Sequence, residues 1–216
     1  MGSTAERIVV VSTHLDDAVM SCWSLLDGAS NVTVVTVFTG GPEPGFLGAW
    51  DSDSGAPDSA TRMQQRRAED AAALAVAGCP YVHVGLLEVE YGGGTCPPGA
   101  LDAHVSGADV VYAPAGIGLR HVNKEHGRVR DAVLMLRPDA RLYADQPYCD
   151  FRDDTELATE LAAGRKRDVC ALNAEQRARK SRAIHCYRGE LTKLERPESF
   201  GPFAQPEHLA HEVFWM

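Results

Sequence analysis

The chain has 216 residues, a formal net charge of −9, 44% hydrophobic and 24% charged residues. That length suffices for one domain with a substantial core, and residues 1–216 are read as a single domain. The acidic balance excludes the basic footprint of a nucleic-acid binder, and no apolar run approaches the ~18 residues of a membrane span. Cys22, Cys79, Cys96, Cys149, Cys170 and Cys186 are scattered without a C-x-x-C pair. No zinc ribbon or thioredoxin-like motif is implied. With no signal-peptide pattern before the first strand, the expectation is a cytoplasmic protein with reduced thiols.

Short β-branched runs predict strands at Arg7–Ser12, Val32–Thr39, Tyr81–Val84, Asp109–Ala113 and Arg141–Ala144. Helical patterns alternate with them. Asp16–Leu26 follows the first strand, and the alanine-rich Ser59–Ala77 stops at Gly78. His126–Leu136 places Val129, Ala132, Val133 and Leu136 at helical spacing, and Thr155–Ala163 and Ala174–Tyr187 complete the set. Continuous apolar strands alternating with helices predict an α/β fold. The expected form is a doubly wound, Rossmann-like and mostly parallel sheet with helices on both faces. Two Gly- and Pro-rich loops, Gly40–Asp58 and Tyr91–Gly99, follow strands and are expected to wall a site at the carboxyl edge.

The chemistry concentrates where the first strand meets its helix, in Ser12-Thr13-His14-Leu15-Asp16-Asp17. In open α/β sheets, sites form outside the carboxyl ends of strands. His14 and Asp17, three residues apart, can converge on one metal, and Asp16 can accept a proton from water. The competing reading is that Asp16 or Asp17 merely caps the helix. A second cluster, Gly116-Ile117-Gly118-Leu119-Arg120-His121-Val122-Asn123-Lys124-Glu125-His126, follows the strand Asp109–Ala113. His126 there can supply a third ligand. Two histidines, an aspartate and water make a tetrahedral catalytic zinc site. The spacing of His121 and His126 is not that of H-E-x-x-H, and on a helix it would turn the two rings roughly 140° apart, so if both face one site His121 must lie in the preceding loop.

These motifs resemble the LmbE/PIG-L family of zinc-dependent de-N-acetylases, and the likeness runs over nearly the whole chain. His14-Leu15-Asp16-Asp17 is similar to the family's H-P-D-D motif, with Leu for Pro. Thr36–Gly40, Arg66–Asp70, Ala113–Gly118, Tyr143–Tyr148 and Lys180–Tyr187 resemble further family segments. The resemblance implies one Zn²⁺ per chain held by His14, Asp17 and His126, with Asp16 as general base toward the zinc-bound water. The second motif departs from the H-x-D-H pattern. Without a gap, Asn123 takes the place of its first histidine and Glu125 that of its aspartate. If Lys124-Glu125 is an insertion, His121 is that histidine; Gly118–Val122 favours this alignment.

The implied activity is hydrolysis of an N-acetyl group from an N-acylated small molecule, expected to be a sugar derivative. Arg66, Asn123, Trp50 and Tyr148 are candidate substrate-binding residues. Arg66 has an alternative reading as a helix-face ion pair with Asp70. Two further readings stay open. One is an amidase of the same fold acting on a thiol–sugar conjugate or natural-product intermediate. The other is a metal-binding relative with impaired catalysis. The oligomeric state is not readable, and homo-oligomerisation is left open. His83, His104, His185, His208 and His211 are expected to be structural.

Overall fold

A computed structural model describes residues 6–116, 124–148, 164–197 and 199–216. Its strands are β1 (Ile8–Ser12), β2 (Val32–Phe38), β3 (Tyr81–Leu86), β4 (Val110–Pro114), β5 (Arg141–Tyr143), β6 (Arg167–Ala171) and β7 (His211–Trp215). Its helices are α1 (Asp17–Ser21), α2 (Trp23–Leu26), α3 (Ser59–Ala77), α4 (Asp102–Val105), α5 (Glu125–Leu136), α6 (Ala174–Ile184) and α7 (Arg188–Leu194). The predicted helix Thr155–Ala163 lies outside the described residues. No helix among the described residues is long and apolar enough to cross a membrane.

The seven strands form one sheet in the order β3-β2-β1-β4-β5-β7-β6. The pairs among β1 to β5 are parallel, whereas β7 runs antiparallel to both β5 and β6. The doubly wound, mostly parallel sheet is thus present, extended by an antiparallel edge. Strand order reverses between β1 and β4, where the connections leaving these neighbours diverge and open a crevice. Both chemistry-bearing segments leave the sheet at this point.

Period-two alternation sorts β1 between two cores. Val10 faces a cluster that includes Trp23, Leu74, Ile184 and Tyr187. Val9 and Val11 face one that includes Leu101, Val129 and Val133. Burial on both sides explains why β1 is apolar at consecutive positions. Helix α3 fits its predicted span, with Asp58 accepting from Thr61 N at its start and Gly78 in the left-handed conformation at its end.

Two expectations need correction, and two strands were not anticipated. The run Asp16–Leu26 breaks at Cys22 into α1 and α2. The buried Glu212 carboxylate of β7 accepts from Trp23 N at 2.7 Å and Ser24 N at 2.9 Å, giving α2 its own N-terminal partner. The predicted Ala174–Tyr187 helix ends at Ile184, and a new one, α7, starts at Arg188. The edge strand β6 is mostly exposed, and its neighbour β7 opens with the exposed His211 and the buried Glu212, so the continuous apolar signal that marked β1 and β2 is missing from both.

Candidate metal centre

The loop after β1 is folded by Ser12. Its hydroxyl donates to His14 O at 2.8 Å and accepts from Ala18 N at 3.1 Å, satisfying an amide of the first turn of α1. Asp16 occupies the N-terminal cap position, yet its side chain makes no capping bond. Asp17 turns back instead and accepts from His14 N at 2.8 Å. The capping reading therefore fails for both aspartates. Leu15 points the other way and is buried with Met63 and Tyr91. This apolar anchor leaves the flanking His14 and Asp16 lining a cavity.

His126 arrives from the first turn of α5. Close approach of two glycines seats that turn: a Cβ on Gly116, whose φ is +65°, would lie 2.9 Å from Gly127 N. Gly116 N donates to Asp145 Oδ2 at 2.7 Å, and Asp145 Oδ1 lies 2.7 Å from His126 Nδ1. An ionised carboxylate only accepts, so Nδ1 carries the proton and Nε2 presents a lone pair. His126 Nε2 is buried and has no hydrogen-bond partner. An orphan of this kind calls for an explanation, and an ion is one.

His14, Asp17 and His126 are all buried and offer ligand atoms within 4.8 Å of one another. Asp17 Oδ2 lies 3.3 Å from His14 Nδ1 and 3.5 Å from His126 Nε2. Donors about 2.0–2.2 Å from one tetrahedral zinc stand roughly 3.3–3.6 Å apart, so the set fits such an ion. The electrostatics agree. Burial opposes charge on His14, but Asp17 and Glu125 outweigh it and hold the imidazole pKa well above its ordinary value. Burial raises the Asp17 carboxyl, whereas His126 and His14 lower it and prevail. The site is tuned to accommodate positive charge. Asp145 on His126 supplies the orienting carboxylate common around metal-bound histidines. Asp145→Ala is expected to weaken metal affinity about 10- to 100-fold, as read by competition with a chelator.

Asp16 borders this set. Desolvation, followed by the charges of Asp17 and Glu190, pushes its carboxyl well up, against the opposing pull of Arg66 and His14. A raised carboxylate is better matched to proton acceptance near neutrality. The cavity of about 620 Å³ is bordered also by Trp50, Arg66, Glu88, Glu125, Tyr148 and Glu190. Tyr148 stands edge-on to His126, with ring centroids 5.9 Å apart.

No protein-family model matches the chain, and neither does any curated protein sequence. Solved structures do. The A40926 pseudoaglycone deacetylase Dbv21 is 27% identical over 98% of this chain and 97% of its own, with a TM-score of 0.76. The zinc-inhibited form of teicoplanin deacetylase Orf2 is 26% identical over 97% of both chains, with a TM-score of 0.75. The chain has the LmbE/PIG-L-like de-N-acetylase fold. An N,N′-diacetylchitobiose deacetylase from Pyrococcus horikoshii shares the fold at 13% identity, over 98% of this chain and 84% of its own, with a TM-score of 0.63.

On this de-N-acetylase fold, the predicted His14, Asp17 and His126 come together, with Asp16, Trp50, Arg66 and Tyr148 on the adjoining cavity. His121 and Asn123 lie outside the described residues. The helix-face pairing of Arg66 with Asp70 is not formed. Arg66 is buried and pairs with Glu88 at 2.6 Å and Glu190 at 3.3 Å. Asp70 is instead engaged by His83 Nε2 and by the Tyr187 hydroxyl, each at 2.8 Å. Sequence reasoning missed Asp145, Glu88 and Glu190, and gave Glu125 no role beyond alignment. Glu125 Oε2 lies 3.1 Å from His14 Nε2, and its other oxygen accepts from Val89 N at 2.8 Å. A carboxylate just past β5, beside β4, was a usable signal for Asp145. Glu88 and Glu190 have no local signal, because their partners are remote in sequence.

Proposed function

We propose that the protein is a zinc-dependent hydrolase that removes the N-acetyl group from an amino sugar within a larger compound. The observation that carries this reading is the buried His14–Asp17–His126 set with Asp16 beside it on an open cavity. Support comes from Dbv21 and Orf2, deacetylases of the A40926 pseudoaglycone and of teicoplanin, respectively, matched over nearly their full length. A cavity of about 620 Å³ has room for more than an acetamido group and falls within the size range of small-molecule sites.

His14, Asp17 and His126 would hold one zinc ion. When bound, it supplies a Lewis acid for the amide carbonyl and lowers the pKa of an attached water to about 7. Asp16 takes up the proton released from the attacking water, its carboxyl already biased toward protonation by burial and by Asp17. Tyr148 and Trp50 border the substrate, and Arg66 orders that wall through Glu88 and Glu190. Because its charge is spent on two carboxylates, Arg66 favours a neutral substrate over an anionic one. His121 is the proposed proton donor to the departing amine, and Asn123 a proposed substrate contact.

The test is acetate release from N-acetylglucosaminides by protein with measured zinc content. Chelation is expected to abolish release and equimolar zinc to restore it. Full turnover after complete metal removal would refute the reading.

A further inference from the structure

One buried carboxylate organises the cavity wall without touching the metal set. Glu190 of α7 is 4% exposed. Its Oε1 accepts from Arg62 at 3.1 Å and lies 3.3 Å from Arg66 Nε, while its Oε2 accepts from Trp50 Nε1 at 2.8 Å. It therefore joins two arginines of α3 to the loop that carries Trp50. Gly189 makes the junction possible, because a Cβ there would collide with the Arg62 guanidinium.

Trp50 is held at two further points. Its backbone N donates to Glu90 Oε1 at 2.6 Å, and Lys193 Nζ lies 4.6 Å from the ring centroid. Yet the ring stays 43% exposed and borders the cavity, whereas Trp23 and Trp215, at 0% and 5%, are buried. A tryptophan fixed at three points, two of them on its ring, but left half open has already lost the rotamer freedom that binding would otherwise remove. Its neighbours on the cavity include Val89, 53% exposed, and Leu194. Of the cationic groups behind this wall, Arg62 pairs with Glu69 and Glu190 and Arg66 with Glu88 and Glu190, while Lys124 and Arg128 also line the cavity.

We propose that Glu190 is a positioning residue that fixes Trp50 as a platform for a neutral aromatic or apolar aglycone. This rests on the deacetylase reading only for the sugar attached to that aglycone. Glu190 acts through Trp50: it holds the indole by its Nε1 and keeps Arg62 and Arg66 from offering net charge to the ligand.

Calorimetric binding of phenyl and methyl N-acetyl-β-D-glucosaminide tests the platform. The zinc-loaded protein is expected to bind the phenyl glycoside about tenfold more tightly, the scale of one aromatic pairing. Trp50→Ala, at a half-exposed position that folding tolerates, should bring the ratio close to one by weakening phenyl binding more than methyl binding. Glu190→Gln should lower the ratio and raise acrylamide quenching of the indole emission, to which Trp50 is the accessible contributor. A ratio near one in the parent protein overturns the proposal, as does a ratio that survives Trp50→Ala. So does a Glu190→Gln protein with unchanged ratio and quenching. Acetate release is measured separately. A phenyl preference without acetate from either glycoside keeps the platform and removes the deacetylase reading; acetate without a phenyl preference does the reverse.

Discussion

Asp16→Asn is expected to keep its metal and to lose turnover by about 10²- to 10⁴-fold, the usual contribution of a positioned general base. The two readouts separate because the loop assigns its side chains to different tasks. Asp17 folds back onto His14 N and faces both imidazoles, while Asp16 makes no capping bond and borders the cavity. An amide at position 16 preserves shape and cannot take up a proton. His14→Ala is expected to give the contrasting result, with metal content and turnover lost together, since one of the three candidate ligands is removed. Metal analysis beside single-substrate kinetics distinguishes the two variants. Wild-type turnover in Asp16→Asn would exclude it as the base.

Lys180→Met is expected to cost about 3–5 kcal/mol of stability, the penalty for leaving one partner of a buried ion pair uncompensated. Lys180 and Glu212 are both fully buried, 2.7 Å apart. Glu212 also accepts the first amides of α2, and Lys180 donates to Gln146 Oε1 at 3.2 Å. The pair thereby joins α6, β7, the break between α1 and α2, and the segment bearing Asp145. At roughly 2–4 °C per kcal/mol for a chain of this size, the melting temperature should fall by about 6–20 °C. Urea unfolding with an unchanged slope checks that the loss is one of stability. The Lys180→Met/Glu212→Gln double variant should recover part of it, because the amide removes the orphaned charge and still accepts a hydrogen bond. A fall of under 1 kcal/mol in the single variant would show that the pair is not structurally coupled.

The parts of the site legible in the sequence were those whose geometry is local. His14, Asp16 and Asp17 lie within four residues at a strand–helix junction, so the junction itself sets which side chains converge. His126 was readable because it opens the helix that follows β4. Arg66 shows the limit. Its i+4 neighbour Asp70 is the natural local partner, yet Glu88 and Glu190, 22 and 124 positions away, engage it. Asp70 sits beneath β3 and α6, where His83 and Tyr187 claim it. Glu212 was likewise invisible as a helix partner, since it acts across 189 positions from a strand.

By itself, the sequence determined an α/β sheet with a constellation of candidate metal ligands at the carboxyl ends of two strands. Apolar periodicity, helix stops and the His14–Asp17 spacing all express forces acting within a few residues. Tertiary structure alone decided that β1 and β4 are neighbours, which brings His126 to Asp17 and opens the crevice between them. It also chose the carboxylates that orient and neutralise: Asp145 for His126, Glu88 and Glu190 for Arg66, Glu212 for Lys180. A buried charge or imidazole must find a partner wherever the fold places one, and burial is a property of the whole packed chain rather than of any segment.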